Sequence, residues 1–268
     1  MLKDITMGQY FPGKSVVHRL DPRTKLILVV LYIAALFTAK NYVSYAVMIV
    51  FLAVAIKIST ISFKSLVKGL KPLLIVIIFT AVLNLLFTGG ERVLVQIWKI
   101  RITLEGVVTA LKMLIRLVML VMGTFLLTYT TSPMSLTDGI ERLFNPLKKI
   151  KFPVHELAMM MSIALRFIPT LVEETDKIIS AQKARGADFE TGSLINRAKA
   201  LLPIMVPLFI SSFRRADELA TAMESRCYNG GEGRTRMNEL TMENIDWVAL
   251  AIGVALLALI IVLNILGL

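Results

Sequence analysis

The fold is decided by residues 72–90, PLLIVIIFTAVLNLLFTGG, a run that contains no Asp, Glu, Lys or Arg. Two further runs, 117–137 and 247–268, also lack these residues, and 56% of the whole chain is hydrophobic. Uncharged apolar runs of about 18 residues or more are typical of helices that cross a bilayer. The composition therefore predicts an integral membrane protein. This apolar composition excludes a soluble enzyme and a disordered chain. A disulfide-stabilised secreted domain is excluded because the chain has one Cys.

Working outward from this run, we predict five membrane spans, at about 24–39, 41–57, 72–89, 106–131 and 247–267. The first two are short for a hydrocarbon core of about 30 Å and rely on snorkelling at their ends. Pro72 and Gly89 suit the first turn and the end of the third span. The chain is therefore divided into a membrane domain (1–131), a polar insert (132–246) and a last span (247–268), in an all-α fold.

The placement of charge predicts the orientation of the chain. Residues 57–71 contain four lysines and no acidic residue, whereas the insert 132–246 contains 15 basic and 15 acidic residues. Short loops rich in Lys and Arg stay in the cytoplasm. The N-terminus and the insert are therefore predicted to be cytoplasmic. Because the basic excess flanks apolar runs, it does not indicate nucleic-acid binding.

Two cations, Lys112 and Arg116, lie one helical turn apart in the fourth predicted span. Charged residues inside a span can line a substrate path. They can also snorkel to the outer interface, and we favour this interpretation.

The polar insert contains two long amphipathic patterns that begin near Pro153 and Leu194. Both follow the 3.6-residue period, and each predicts a helix of about 32 residues. A shorter amphipathic segment, 135–150, precedes them. With two His and one Cys, the chain has too few ligands for a structural metal site, so no metal is expected.

The ends of the two long patterns repeat each other at a constant offset, because 176–186 aligns with 217–227. Each Arg in this repeat continues the apolar stripe of its helix, which is typical of an interface anchor. The alternative is a cation at a helix C-terminus followed by an ordinary glycine stop. Two such ends in register favour a functional role, and they predict a dimeric cytoplasmic partner. The repeated triplets are Ala184-Arg185-Gly186 and Ser225-Arg226-Cys227.

The N-terminus and the two repeated triplets resemble the transmembrane T component of energy-coupling factor transporters. Segments 8–15 and 18–25 are similar to the opening motif of that family, and the triplets resemble its two coupling motifs. Residues 223–228 resemble the form found where one T component serves several substrate-binding subunits. The motif residues in this chain are Pro12, Gly13, His18, Arg19, Asp21, Pro22 and Arg23.

The resemblance implies a non-catalytic subunit of an ATP-driven importer of vitamins or other micronutrients in the bacterial cell membrane. Arg185 and Arg226 would dock on two ABC-type ATPases, and the inexact repeat favours two different ones. ATP and Mg²⁺ would be bound by those ATPases, and this chain would bind no cofactor. One or several membrane-embedded substrate-binding subunits (S components) would rest on the apolar faces of the long helices. The residues expected on that contact face are Met160, Met161, Ala164, Met205 and Phe209.

Two other functions remain as alternatives. A self-sufficient secondary transporter needs polar sites near the bilayer midplane, where Asn84 is the main candidate. A membrane-anchored scaffold would use the insert to recruit some other soluble partner. Only the first interpretation predicts that two nucleotide-binding subunits co-purify with the chain.

Overall fold

The prediction of a helical membrane protein is confirmed by a computed structural model, which describes residues 10–90, 92–97, 100–187, 194–230 and 239–267. Most of these residues are helical, with 3₁₀ turns at Lys71–Leu73 and Asn145–Ile150. The helices are α1 (Val16–Arg19), α2 (Pro22–Thr38), α3 (Tyr42–Ser59), α4 (Phe63–Leu70), α5 (Leu74–Phe87), α6 (Leu104–Thr130), α7 (Pro133–Phe144), α8 (Val154–Ala184), α9 (Leu194–Glu224) and α10 (Asn244–Leu266).

Five helical segments of the described chain are long and apolar enough to cross a membrane. Four of them match the predicted spans, namely α3, the continuous segment Phe63–Phe87, α6 and α10. The fifth is α8, which is the least apolar of the five. The helix at the first predicted span, α2, has 17 residues and is only about 25 Å long. The helix at the first predicted span is therefore short for a bilayer, as the sequence analysis expected.

A short antiparallel hairpin between α5 and α6 was not predicted from the sequence. Strand β1 (Val93–Ile97) pairs with β2 (Ile100–Thr103), with Val95 opposite Ile102. Each strand has only four or five residues, which is too short for periodicity to distinguish it from a loop. Thr103 ends the hairpin and caps α6, since its hydroxyl accepts a hydrogen bond from the Gly106 N–H at 3.1 Å.

The chain forms two compact units, and the larger, which we call the bundle unit, contains residues 10–139 and 240–267. Its core is built from aliphatic and aromatic side chains of α2, α3, α4, α5, α6 and α10. Gly123 of α6 is required there, because a Cβ at this position would lie 2.4 Å from the ring of Tyr32. The Tyr32 hydroxyl donates to the Met119 carbonyl at 3.0 Å, which satisfies its polar atom inside the core. Fully buried members include Ala35, Leu36, Ala39, Met48, Leu66 and Ile260.

The second unit, which we call the helix-pair unit, lies within 140–239 and consists mainly of α8 and α9. Both helices have 31 residues and begin within one residue of the predicted positions. Pro169, Pro203 and Pro207 lie inside them without ending either helix. The shorter predicted segment is present as the end of α7 followed by the 3₁₀ turn.

Candidate functional site

The first repeated triplet forms the C-terminal end of α8. Arg185 is the C-cap residue, and Gly186 follows it with φ +85°. The Gly186 N–H donates to the Lys183 carbonyl, and the Ala187 N–H donates to the Gln182 carbonyl, both at 3.0 Å. This pair of bonds is a Schellman motif, in which a residue with positive φ closes the helix. The glycine after Arg185 is therefore explained by local backbone conformation.

The second triplet ends α9 in the same way. The Cys227 N–H donates to the Glu224 carbonyl at 2.8 Å, and the Tyr228 N–H donates to the Met223 carbonyl at 3.0 Å. Cys227 takes the place of the glycine and adopts φ +56°. A left-handed conformation at a non-glycine residue costs about 1–2 kcal/mol. The repeat in the sequence is therefore a repeat of structure, maintained even where the favourable glycine is missing.

The two arginines are exposed on these ends. Neither guanidinium makes a hydrogen bond or an ion pair with any residue that the structure describes. The residues beside them, Ala184 and Ser225, are exposed as well, and the Ser225 hydroxyl bonds to the Thr221 carbonyl of its own helix. Each end therefore presents an exposed guanidinium, without a partner among the described residues, where the helix is closed by a Schellman motif.

The polar contact that joins the two helices was not predicted from the sequence. Glu174 of α8 accepts a hydrogen bond from Arg215 of α9 at 2.6 Å and one from the Ser211 hydroxyl at 2.5 Å. Arg215 is the equivalent of Glu174 when the offset of the repeat is extended by two residues towards the N-terminus, because both precede their terminal arginines by 11 residues. Opposite charges at equivalent positions are a signal that a comparison of the two halves can find.

Contacts on both sides of this ion pair show that the helices cross in antiparallel fashion. On one side Gln182 donates to the Pro203 carbonyl at 3.4 Å. On the other side Met159 and Ile163 form a groove together with Met223. Because equivalent residues meet at the crossing, an approximate two-fold rotation relates α8 to α9. Each arginine lies about 16 Å from the crossing, in opposite directions along the pair.

The face of α9 that contacts α8 contains polar as well as apolar side chains. The buried or half-buried residues of α9 include three polar ones, Ser211, Ser212 and Arg215. The apolar face that periodicity predicts for α9 includes Leu201, Met205 and Phe209, which are 50%, 55% and 62% exposed. Contact of this face with an S component stays a prediction. All five residues of the expected S-component face are exposed: Met160, Met161, Ala164, Met205 and Phe209.

The N-terminal motif belongs to the bundle unit, where it forms a buried polar cluster. Asp21 caps α2 by accepting from the Arg23 N–H at 2.8 Å, and its carboxylate binds the Arg23 guanidinium at 2.8 and 3.1 Å. The Asp21 N–H donates to Asp246, the capping-box residue of α10, at 2.8 Å. Arg23 also donates to the Leu240 carbonyl at 2.9 Å. The hydrogen bond to Asp21 raises the pKa of Arg23, so the guanidinium stays charged.

Lys25 extends this cluster to the end of α6. Its buried ammonium donates to the carbonyls of His18, at 3.2 Å, and of Thr130, at 2.9 Å. A cation at the C-terminal end of α6 is favoured by the helix dipole. The motif therefore connects the beginnings of α2 and α10 with the end of α6, so its role in this chain is to stabilise the fold.

The other motif residues support this arrangement to different degrees. The His18 ring contacts the Ser15 hydroxyl at 2.6 Å and the Phe11 carbonyl at 3.0 Å. Gly13 leaves room for that ring, because a Cβ there would lie 2.7 Å from it. Pro22 is buried at the first turn of α2, whereas Pro12 and Arg19 are exposed. Positions 8 and 9 of the motif lie outside the described residues.

Lys112 and Arg116 bind the opposite end of α2. Arg116 donates to the Ala39 carbonyl at 3.1 Å, and Lys112 donates to the Lys40 carbonyl at 3.4 Å. Lys112 also lies over the ring of Tyr42 at 4.3 Å. Both cations therefore reach the turn after α2, while their snorkelling to the outer interface stays a prediction.

Comparison with known proteins identifies the family. A family model named CbiQ, described as a cobalt transport protein, matches residues 13–237. The energy-coupling factor transporter transmembrane protein EcfT of Clostridium kluyveri is 56% identical over 250 residues, which are 93% of each chain. The protein of that name from Ruminiclostridium cellulolyticum is 50% identical over 98% of each chain. The one from Bacillus subtilis is 47% identical over 98% of this chain and 100% of its own. This chain therefore belongs to the family of energy-coupling factor transporter transmembrane proteins, the T components.

Proposed function

We propose that this T component couples two cytoplasmic ATPases to a membrane-embedded S component. Arg185 and Arg226 dock on the two ATPases, and the apolar faces of α8 and α9 support the S component. In this function the chain binds no nucleotide and catalyses no reaction, while its partners bind ATP and Mg²⁺. The substrates are vitamins or other micronutrients, and they are selected by the S component.

The proposal rests on one observation: Arg185 and Arg226 are equivalent and exposed, and neither has a partner among the described residues. They lie on opposite sides of the Glu174–Arg215 crossing and are related by an approximate two-fold rotation. A partner with two similar subunits has matching symmetry, so each end meets an equivalent receiving site. The ends differ in two residues, Gly186 against Cys227 and Ala184 against Ser225, which favours two different ATPases.

The proposed orientation follows from the lysine-rich segment 57–71 and from the polar insert, both on the cytoplasmic side. The chain then resides in the plasma membrane of a bacterium with its N-terminus in the cytoplasm. A secondary transporter is not supported by Asn84, because this amide donates to the Thr80 carbonyl of its own helix at 2.9 Å.

The test of the docking role is the double variant Arg185→Ala, Arg226→Ala in the co-expressed complex. Truncating one partner of a buried interfacial charge pair costs about 2–5 kcal/mol, so two losses should abolish docking and uptake. The ATPases should be absent from a pull-down on the T component, while the amount of T component in the membrane is unchanged.

A matched control removes two cations from the same helices without touching their ends. Lys177 and Arg214 are both exposed, and their double replacement by Ala should leave uptake and the pull-down close to wild type. If the arginine double variant transports at the normal rate, the arginines are only helix caps and the proposed docking is wrong.

The test of the S-component face is the change Met161→Glu, at a side chain that is 48% exposed. An unpaired carboxylate in an apolar interface costs several kcal/mol. We expect loss of the S component from the pull-down with the ATPases retained. The opposite result, in which the ATPases are lost and the S component remains, would show that the apolar face and the arginine ends have been assigned to the wrong partners.

A further inference from the structure

The lysine-rich segment 57–71 has no charge partner within the described residues. Lys57, Lys64, Lys68 and Lys71 are all exposed, and none of them makes a hydrogen bond or an ion pair with a described residue. The segment itself contains no acidic residue. Four neighbouring cations repel one another unless an anion lies close to them.

The short helix α4 places two of these lysines beside an exposed apolar row. Leu66 and Leu70 are buried against the bundle, and Gly69 packs so closely that a Cβ would lie 2.7 Å from the Tyr129 hydroxyl. Phe63 and Val67 form the next row and are 61% and 45% exposed. Lys64 and Lys68 form the row after that. An exposed apolar row next to a lysine row is typical of a helix lying at a membrane interface.

A groove lined only by apolar residues runs along the bundle unit and reaches the start of α4. Its α3 wall has Ile49 and Ala53 spaced by four residues, and Lys57 is the next member of that row. The groove extends for about 10 Å along α3, since 49 to 56 is seven residues. It is lined by Ile49, Leu52, Ala53, Ile56, Phe63, Leu114, Ile115, Val118, Met119 and Met122.

We propose that this groove and the neighbouring lysines bind one anionic phospholipid. The acyl chain occupies the apolar groove between α3 and α6, and the phosphate lies against Lys57 and Lys64 at its end. Charge complementarity selects this occupant, because an apolar groove that ends at unpaired cations matches a molecule with an apolar tail and an anionic head. A transmembrane helix is a poorer match, since helix interfaces favour small residues and Ala53 is the only small residue lining the groove.

The charge requirement is tested on the intact complex in nanodiscs that contain phosphatidylglycerol or phosphatidylcholine. Native mass spectrometry measures which lipid is retained after detergent extraction. We expect retention of phosphatidylglycerol, reduced by about tenfold in the double variant Lys57→Gln, Lys64→Gln. The control Lys148→Gln, Lys149→Gln removes the same charge elsewhere and should retain the lipid. Equal retention of both lipids by the wild-type complex would refute the proposal.

The groove is tested by Ala53→Phe, which fills it from an exposed position. The matched control is Val54→Phe, which adds a ring on the same helix at a position that does not line the groove. We expect lipid retention to fall only for Ala53→Phe. If both phenylalanine variants retain the lipid, the lysines act as a diffuse surface charge and no site exists. If a photoreactive residue at position 53 cross-links to a protein in native membranes, the occupant is a helix and the assignment is wrong.

Discussion

Arginines serve opposite purposes in the two units of this protein. In the bundle unit, Arg23 binds a carboxylate at two points and a backbone carbonyl at a third, close to the buried Asp21 and Asp246. In the helix-pair unit, Arg185 and Arg226 are exposed at helix ends without a partner among the described residues. All three belong to sequence motifs that support the family resemblance.

The difference shows that the role of an arginine in a family motif depends on the residues that surround it in the fold. Removing the guanidinium of Arg23 takes the ion-pair partner from the buried Asp21 carboxylate, which penalises the folded state of this chain. Removing Arg185 or Arg226 breaks no hydrogen bond or ion pair with a described residue, so we expect the main effect to arise in a complex. Variants of the two units therefore separate stability from coupling.

The largest expected effect on stability is that of Asp21→Ala. This change removes the cap of α2 and leaves Arg23 unpaired, and breaking a buried ion pair costs about 3–5 kcal/mol. We expect a marked loss of folded protein, measured by thermal unfolding and by monodispersity in detergent. The exposed Asp217→Ala in α9 is the matched control and should unfold like the wild type. Equal unfolding of both variants would show that the buried cluster does not stabilise the bundle.

An intermediate effect is expected at the crossing of α8 and α9. Glu174→Gln removes the charge that binds Arg215 but leaves a group that can accept hydrogen bonds. Partly exposed ion pairs contribute little to stability, so the protein should remain folded while uptake falls by about two- to fivefold. The exchanged pair Glu174→Arg, Arg215→Glu should recover part of this loss in uptake assays. An exchanged pair that is worse than the sum of its single changes would show that the charges do not act as a pair.

The smallest effect distinguishes the two helix ends from each other. Gly186→Ala places a side chain at φ +85° and should cost about 1 kcal/mol locally, whereas Cys227→Gly relieves the same strain and should be neutral or slightly stabilising. Amide hydrogen exchange at Ala187 and Tyr228 measures this, since both N–H groups close their helix ends. Faster exchange at Tyr228 in Cys227→Gly would contradict the strain argument.

Sequence reasoning predicted the helices better than their contacts. The starts of α8 and α9 were predicted within one residue, because periodicity and flanking residues are local signals. The row of α9 that faces α8 was not predicted, since it contains Ser211 and Arg215, whose polar groups are paired there only because Glu174 lies opposite them. The role of Asp246 was missed because it lies 225 residues from Asp21 in the chain.

The sequence by itself determined that this is a helical membrane protein, that two long helices end in equivalent arginine triplets, and which family it resembles. Each of these follows from hydropathy, periodicity or motifs within a continuous segment. Only the tertiary structure decided that the N-terminal motif is a buried polar cluster, whereas the triplets are exposed and their helices cross at Glu174 and Arg215. These features depend on groups brought together from distant parts of the chain. Burial decides whether a charge needs a partner, and the local sequence does not determine which residues become buried.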